Sequence, residues 1–339
     1  MKYLFYIFLL LIATKGLAQN FSAEEQHQID SLNKVIANPN SPDTIVAMTY
    51  FEIANYYYLH NPDTAIVICK KAEVLSERIN YNKGKSESYG WLGYLVEIKG
   101  DIPKALEYYH KSLKIQEEIG DKEGIAISLN NIGAIYDNQG DIPKALEYYH
   151  KSLKIVEEIG NKSGIARSLN NIGAIYKSQG DLPKAVEYYH KSLKIYEEIG
   201  DKKGIANSLN NIGAIYRNQG DLPKALEYYH KSLKIYEEID DKRGIANSLN
   251  NIGYIYHNQR DTPKALEYCY KSLNIQEEIG NKEGTAYSLN KLGFNELKKE
   301  NTNVIAAAKK HLLKALEIEQ EIGYPGLISK VSSNLSKVY

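Results

Sequence analysis

The sequence has no net charge and lacks the motifs that mark the common enzyme classes. Its 42 Lys and Arg residues balance 42 Asp and Glu residues, so no bulk electrostatic attraction to nucleic acid or to an anionic membrane is expected. No G-x-S-x-G, P-loop, H-E-x-x-H or paired C-x-x-C motif occurs in it, and these are the patterns that would indicate known catalytic or cofactor chemistry. We therefore predict no catalytic residue, no cofactor and no nucleic-acid partner.

Long hydrophobic runs are also absent, except at the N-terminus. Lys2 precedes an apolar run from Tyr3 to Ala13, and the small residues Gly16 and Ala18 follow it. This pattern is typical of a signal peptide, here residues 1–18, cleaved after Ala18. The alternative is an uncleaved membrane anchor, but the run is shorter than the roughly 20 residues that span a bilayer. We expect an exported protein, periplasmic or secreted, that meets a membrane only as part of a longer anchored protein.

What the sequence has in abundance is a repeat of forty residues. Residues 161–200 read NKSGIARSLNNIGAIYKSQGDLPKAVEYYHKSLKIYEEIG, and nearly the same text stands forty residues before and after them. A fixed period of about 20 to 50 residues is the signature of stacked structural repeats, in which each unit packs mainly on its neighbours. The period is marked by pairs at Leu92-Gly93, Ile132-Gly133, Ile172-Gly173, Ile212-Gly213, Ile252-Gly253 and Leu292-Gly293.

Each unit is predicted to be a pair of helices. In the unit 121–160, apolar residues from Ile125 to Tyr136 recur at three- and four-residue steps, which predicts an amphipathic helix A over residues 122–139. Helix B is predicted over residues 142–159. A glycine followed by Asp or Asn separates the helices, since glycine tolerates the left-handed conformation that ends a helix and Asp or Asn caps the next one. The predicted fold class is therefore all-α.

Two junctions lack this glycine. Asp240 and Arg260 stand in its place, and a non-glycine residue in the left-handed region costs about 1–2 kcal/mol. We predict that the unit 241–280 has the least regular helix ends of the array.

The rest of the chain is arranged around the repeats. Residues 19–82 are predicted to hold a leading helix and a degenerate first repeat, because terminal repeats meet solvent on one face and are atypical. Six tandem units are predicted over residues 83–323, namely 83–120, 121–160, 161–200, 201–240, 241–280 and 281–323. Residues 324–339 are predicted to form a capping helix or the start of a truncated repeat.

Only two cysteines occur, Cys69 and Cys269. They lie five repeats apart, whereas a disulfide needs Cα atoms within about 7 Å of each other. Because only adjacent units touch in a stacked array, no bridge between them is expected. Both lie in apolar helical patterns, so we interpret them as small buried side chains.

The repeat resembles the tetratricopeptide repeat. The residues at the signature spacings of that motif are Leu129, Ile132, Gly133, Tyr136, Gly140, Ala145 and Tyr149. Ser152 departs from the motif, where alanine is usual, and the forty-residue length with E-E-I-G-D-K-x-G junctions is similar to the subclass in kinesin light chains and Pins-type adaptors. The resemblance implies a right-handed superhelical α-solenoid of antiparallel helix pairs, which binds a protein or peptide in a concave groove without catalysis.

Two classes of function follow from the resemblance. The first is an exported scaffold that binds an extended segment of a partner protein. The second is the periplasmic sensory region of a membrane signalling protein, of the histidine kinase or nucleotide cyclase type, whose transmembrane and output parts are absent here. A transmembrane helix and a catalytic domain encoded beyond Tyr339 would decide for the second class.

Near-identical repeats separate the positions that vary from those that stay fixed. The buried stripe of helix A hardly changes, whereas the side roughly 100–180° around the helix, called here the variable face, changes from unit to unit. In the family this side is concave and faces the ligand. The predicted binding set is Asn130, Arg167, Asn170, Lys177, Asn207, Asn210, Arg217, Asn247, Asn250, Tyr254, His257, Tyr287 and Asn290.

One row of this set is constant, and it consists of Asn130, Asn170, Asn210, Asn250 and Asn290. An amide both donates and accepts hydrogen bonds, so a row of amides suits the alternating N–H and C=O groups of an extended peptide. The alternative is that these amides bond only to neighbouring helices or water. We favour ligand contact for this row, and neighbouring helices for the second row, Asn131, Asn171, Asn211 and Asn251.

Charge changes along the variable face. Acidic, basic and aromatic positions follow one another along the chain, first Glu87, Glu97 and Asp137, then Arg167, Lys177 and Arg217, then Tyr254, His257, Tyr287 and Phe294. Charge-assisted hydrogen bonds are stronger than neutral ones. Our hypothesis is that an acidic partner segment docks its carboxylates over the basic positions.

A row of histidines also repeats, at His110, His150, His190 and His230. Adjacent helices pack about 8–10 Å apart, whereas zinc–nitrogen bonds are about 2.0–2.1 Å long. One metal ion therefore cannot collect several of these side chains. We interpret them as a solvated flank of helix B and predict no metal site.

Overall fold

The structure is a computed structural model, and it describes residues 21–58, 61–297, 302–322 and 331–336. The predicted signal peptide lies outside these residues, as do parts of the C-terminal segment 324–339. All regular secondary structure in the described ranges is helical, which confirms the all-α prediction. None of the described helices has both the length and the apolar character needed to cross a membrane.

The helices fall into two compact units, one ending at Ile159 and the other starting at Gly160. The first unit contains α1 (Ala23–Ala37), α2 (Asp43–Tyr57), α3 (Pro62–Arg78), α4 (Asn82–Ile98), α5 (Ile102–Ile119), α6 (Lys122–Asn138) and α7 (Ile142–Glu158). The second unit contains α8 (Lys162–Ser178), α9 (Leu182–Ile199), α10 (Lys202–Asn218), α11 (Leu222–Glu238), α12 (Lys242–Asn258), α13 (Thr262–Glu278), α14 (Lys282–Glu296) and α15 (Thr302–Ile322), and residues 331–335 are also helical. Within each unit, successive helices pack as pairs in chain order.

The turns between helices have the predicted chemistry. Gly120 ends α5 in the left-handed conformation, with φ of 70°. The Asp121 carboxylate then accepts a hydrogen bond from the Gly124 N–H at 3.0 Å and caps α6. The same cap recurs at Asn161, Asp201, Asp241 and Asn281. Each of these capped helices therefore begins at a defined residue, which fixes the register of the side chains on it.

Asp240 and Arg260 adopt the conformation that glycine has elsewhere, with φ of 51° and 63°. Their turns are as regular as the glycine turns. The Asp240 N–H reaches the Glu237 carbonyl at 3.3 Å, which is the distance found in the turn at Gly200. The prediction of irregular helix ends in the unit 241–280 is therefore wrong, because the turn keeps its hydrogen bonds and the backbone of these residues carries the steric cost.

Asp240→Gly is expected to stabilise the protein by about 1 kcal/mol, because glycine adopts a positive φ without the steric cost of a Cβ atom. Arg260→Gly is expected to act in the same way. The reciprocal variant Gly200→Asp is the matched control and should lose a similar amount. Urea denaturation followed by circular dichroism measures the change, and an unchanged midpoint for Asp240→Gly would contradict the prediction.

A glycine lets the two helices of each pair approach closely. A Cβ atom on Gly133 would lie 2.9 Å from two ring carbons of Tyr149, and one on Gly213 would lie 2.9 Å from two ring carbons of Tyr229. Both tyrosines are buried. In the four repeats with glycine at positions 93, 133, 173 and 213, the constant half is therefore an aromatic ring of helix B packed on a glycine of helix A.

The serine that departs from the family motif also joins the two helices of a pair. The Ser152 hydroxyl donates to the Ala126 carbonyl at 2.8 Å. The same bond recurs from Ser192 to Ala166, from Ser232 to Ala206 and from Ser272 to Ala246. A buried hydrogen bond of this kind contributes about 0.5–1.5 kcal/mol, so the serine strengthens the pairing that alanine packing alone would provide.

In the second unit, an ion pair connects the start of the first helix of each pair to the end of the second. Lys162 near the start of α8 lies 3.0 Å from Glu198 near the end of α9. The equivalent pairs are Lys202 with Glu238 and Lys242 with Glu278. These side chains are exposed, and exposed ion pairs contribute about 0–1 kcal/mol. They mark the boundaries of the repeat more than they stabilise it.

Candidate binding face

The variable face of the second unit is formed by the first helices of its pairs, α8, α10, α12 and α14. Arg167, Asn207 and Asn247 hold the same position on successive helices, and all three are exposed. Tyr287 has this position on α14 and is partly buried. The Asn207 side-chain oxygen accepts a hydrogen bond from the Tyr236 hydroxyl at 2.5 Å. This row of predicted residues is therefore open to a ligand, and helix B holds one member in place.

Cations and aromatic rings gather beside that row. The Arg217 guanidinium lies 5.2 Å from the centre of the Tyr254 ring. The Lys291 ammonium lies 4.9 Å from the same ring centre and 5.1 Å from that of Tyr287. The Arg217 charge also lowers the pKa of Lys177. We call Lys177, Arg217, Tyr254, Tyr287 and Lys291 the cationic cluster.

Among the described residues, the positive charges of the cationic cluster have no carboxylate partner in a salt bridge. Burial lowers the pKa of Lys177, and the Arg217 charge lowers it further. Burial also lowers the pKa of Lys291; Tyr254 raises it in part, and Arg217 lowers it again. Across the described residues, no salt bridge involves these two lysines or Arg217. The cluster thus holds positive charge that no described carboxylate neutralises through an ion pair.

Three members of the asparagine row are buried in the helix stack. Asn250 is 2% exposed and donates to the Ser288 hydroxyl at 3.0 Å. Asn290 is 5% exposed and accepts from the Asn334 amide at 2.7 Å. Asn130, in the first unit, is 9% exposed. The expectation of ligand contact is corrected for these three, because their burial leaves little surface that a ligand could reach.

The two central members of the row remain partly accessible. The Asn170 oxygen accepts a hydrogen bond from the Asn211 amide at 3.0 Å, and the Asn210 oxygen accepts one from Asn251 at 2.9 Å. Two members of the second row, Asn211 and Asn251, thus bond to neighbouring helices. Each amide of the first row that is held by its oxygen retains an NH₂ group that can donate.

His257 lies inside the helix stack and not on the surface. It is 7% exposed, its Nδ1 atom is hydrogen-bonded to the Asn295 side chain, and its ring centre lies 4.8 Å from that of Phe294. The expectation that it contacts a ligand is therefore corrected. The physical reason is that α14 packs against α12 as well as against its own pair, and this contact covers the end of α12.

The acidic positions of the first unit are partly buried. Burial raises the pKa of Glu87, Glu97 and Asp137 above that of an ordinary carboxyl group. Glu97 accepts a hydrogen bond from the Tyr109 hydroxyl at 2.8 Å, so its carboxylate is held by helix B. The acidic character predicted for this part of the face is therefore combined with reduced access to solvent.

Three residues of the face were not predicted, namely Trp91, Tyr94 and Lys291. The sequence carries a signal for each of them. Trp91 and Lys291 stand at the position that holds the second-row asparagine in the other units, and Tyr94 stands where alanine is found in the next three. The signal is thus a departure from the residue that the neighbouring repeats hold at the same position.

The histidine row lies on the solvent side of the second helices. His110, His150, His190 and His230 are all exposed. Over the part of the chain that the structure describes, no three His, Cys, Asp or Glu side chains gather as a possible metal site. Cys69 and Cys269 are both buried free thiols.

Comparison with known proteins gives one family match. The sequence profile described as "Tetratricopeptide repeat" matches residues 85–158, 164–238 and 244–321, which together are more than half of the chain. No curated protein matches the sequence.

Several solved structures are similar. BtubC (BKLC) from P. vanneervenii is 21% identical, with a TM-score of 0.51 over 77% of this chain and 94% of that one. The apo form of RapI is 19% identical, with a TM-score of 0.57 over 75% and 97%. Aspartyl phosphate phosphatase F from Bacillus subtilis is 12% identical, with a TM-score of 0.57 over 95% of both chains. At these identities the likeness concerns the fold alone.

Proposed function

Since the chain belongs to the tetratricopeptide repeat family, we propose that it is an exported scaffold whose second unit binds an extended, acidic segment of a partner protein along the variable face. The family fold supports a role in binding proteins. The cationic cluster supports the chemistry of the partner.

The uncompensated charge of the cationic cluster carries this proposal. A partly buried ammonium group without a counter-ion destabilises a folded protein, because its charged form is poorly solvated. Lys177 and Lys291 are partly buried ammonium groups of this kind, and the nearby Arg217 charge repels both of them. A bound carboxylate would remove both costs and would form charge-assisted hydrogen bonds. The positions beside the cluster, Arg167 and Asn247, are exposed and can extend the contact.

The aromatic rings of the cluster hold its cations in place. The Tyr254 ring is contacted by both Arg217 and Lys291, and a cation over a ring face gains about 0.5–2 kcal/mol. The side chains are thus ordered before a ligand arrives, which lowers the entropy lost on binding. The NH₂ groups of Asn170 and Asn210 can donate to carbonyl groups of the same segment.

The test is a titration with two probe peptides of equal length. The first is acetyl-Gly-Asp-Glu-Asp-Glu-Gly-amide, and the second has Asn and Gln in place of Asp and Glu. Saturable binding of the acidic peptide, weakened by salt, is expected, with little binding of the amide peptide. Equal binding of both peptides would contradict the proposal. The charge-reversal variant that assigns the binding to the cationic cluster is described in the Discussion.

We also propose that the chain is exported by its N-terminal segment. The support is the sequence pattern alone, a lysine followed by an apolar run and small residues before Gln19. The N-terminal sequence of the protein recovered from its native host is expected to start at Gln19. Recovery of a chain that still begins at Met1 would contradict export by cleavage. An adaptor and a sensory region both need the recognition step proposed above.

A further inference from the structure

We propose that the first unit carries a pocket for one cationic side chain, a lysine or an arginine, formed by Glu87, Trp91 and Tyr94. This inference rests on the proposed function, because the side chain would belong to the bound partner protein. It adds a second site whose charge preference is opposite to that of the cationic cluster.

A cavity of about 280 Å³ opens at this place in the first unit. Its lining includes Glu87, Gly90, Trp91, Tyr94 and Ile127. Gly90 stands at the position that holds the first-row asparagine in the later repeats. A Cβ atom on Gly90 would have only the Ser112 hydroxyl near it, at 3.8 Å. The missing side chain therefore leaves open the space that an asparagine occupies elsewhere.

Aromatic rings form one wall of this pocket. The Trp91 ring centre lies 6.4 Å from that of Tyr94, and Tyr58 contacts both rings with centre distances of 6.2 and 5.8 Å. Tyr94 is 39% exposed, so its ring is accessible from solvent. A cation within about 6 Å of a ring face is attracted by the ring quadrupole, most strongly by tryptophan. The wall is thus suited to an ammonium or guanidinium group.

Glu87 supplies a negative charge to the same pocket. It lies one helical turn before Trp91, so the two side chains are neighbours on α4. Burial raises the pKa of Glu87, Lys83 lowers it in part, and Asp121 raises it again. Across the described residues Glu87 has no salt bridge. A cation beside it would offset the cost of burying the carboxylate, whereas an anion would be repelled.

Sequence differences between the repeats restrict the preference for a cation to the repeat 83–120. The residues equivalent to Glu87 are Ile127, Arg167, Asn207, Asn247 and Tyr287, and those equivalent to Trp91 are Asn131, Asn171, Asn211, Asn251 and Lys291. No other repeat combines a carboxylate, a tryptophan and a glycine at these positions. The scaffold is the same in each case, so the difference in charge and shape is local to α4.

Trp91 is the only tryptophan of the chain, so its fluorescence reports on this pocket directly. The probes are acetyl-Gly-Lys-Gly-amide and its norleucine counterpart, which has nearly the same shape without the charge. The lysine peptide is expected to change the Trp91 emission saturably and to bind about tenfold more tightly than the norleucine peptide. Gly90→Asn introduces the asparagine of the later repeats, and Glu87→Gln removes the charge of the carboxylate. Each variant should remove most of the difference in affinity between the lysine and norleucine peptides.

Glu118→Gln is the matched control, because Glu118 is exposed on α5 and does not line the cavity. It should leave the response to both peptides unchanged. Equal responses to lysine and norleucine, or a full lysine response in Gly90→Asn with native circular dichroism, would overturn the inference. In that case, retained binding of the acidic probe would leave the proposed function standing. Loss of acidic-probe binding with a normal lysine response would contradict the proposed function and support the pocket for a cationic side chain.

Discussion

Arg217→Glu is expected to weaken binding of the acidic probe peptide roughly 30-fold, about 2 kcal/mol, which is within the range measured for close charge pairs at interfaces. Arg217 packs on the Tyr254 ring, and its charge lowers the pKa of both Lys177 and Lys291. The variant removes one favourable charge and introduces a repulsive one. The new carboxylate would also pair with the two lysines and so occupy the cations that the ligand needs.

Isothermal titration at low and high salt measures this effect. The difference between wild type and variant should shrink as salt rises, because ions screen exposed charges over about 8–10 Å at 0.1–0.15 M. Arg243→Glu is the matched control, since Arg243 is an exposed arginine on α12 outside the cationic cluster. It makes the same change in net charge and should change the affinity less than about twofold. Unchanged affinity of Arg217→Glu at low salt would refute binding at the cationic cluster.

Gly213→Ala is expected to destabilise the protein by about 2 kcal/mol, although alanine is the better helix former. A Cβ atom on Gly213 would lie 2.9 Å from two ring carbons of Tyr229 and 3.3 Å from the Tyr228 Cβ atom. The Tyr229 ring is fully buried, so it can move only by displacing its neighbours. The clash therefore separates α10 from α11 or forces a strained rotamer.

The chain offers a graded set of controls for this variant. At Gly253 a Cβ atom would meet the Cys269 sulfur at 3.1 Å instead of a ring, so Gly253→Ala should cost less. At Gly90 the nearest atom is 3.8 Å away, so Gly90→Ala should gain up to about 1 kcal/mol from helix propensity. Urea denaturation midpoints, followed by circular dichroism, should be lowest for Gly213→Ala, higher for Gly253→Ala and highest for Gly90→Ala. Equal changes at all three positions would show that the ring contact does not set the cost.

The sequence was sufficient to predict the helix pairs because the repeat tests each pattern several times. A single apolar stripe is weak support for a helix. The same stripe recurs every forty residues with glycine and Asp or Asn at each end, and this recurrence excludes most other secondary-structure assignments. The regular turns at Asp240 and Arg260 were not foreseen. Their φ values show that the surrounding hydrogen bonds outweigh a local steric cost, and this balance depends on contacts that a single segment does not reveal.

The binding face was less predictable, since a helical wheel gives the direction of a side chain but not what lies in that direction. Asn250 and His257 point away from the buried stripe of α12, yet contacts with α14 cover both of them. Conversely, Lys291 sits at a position that bonds between helices in other units, but there it contributes a cation to the face. Accessibility is set by the next repeat, so it follows from the assembled helices and not from one repeat alone.

The serine hydrogen bonds and lysine–glutamate pairs of the second unit each begin and end within one forty-residue stretch, as from Ser192 to Ala166 and from Lys162 to Glu198. Insertion or loss of a whole stretch would therefore leave these bonds intact in every stretch that remains. Unequal recombination between near-identical segments of the gene can lengthen or shorten such a protein without redesigning it. The length of the proposed binding face would then change by one repeat at a time, while the architecture of each repeat stays the same.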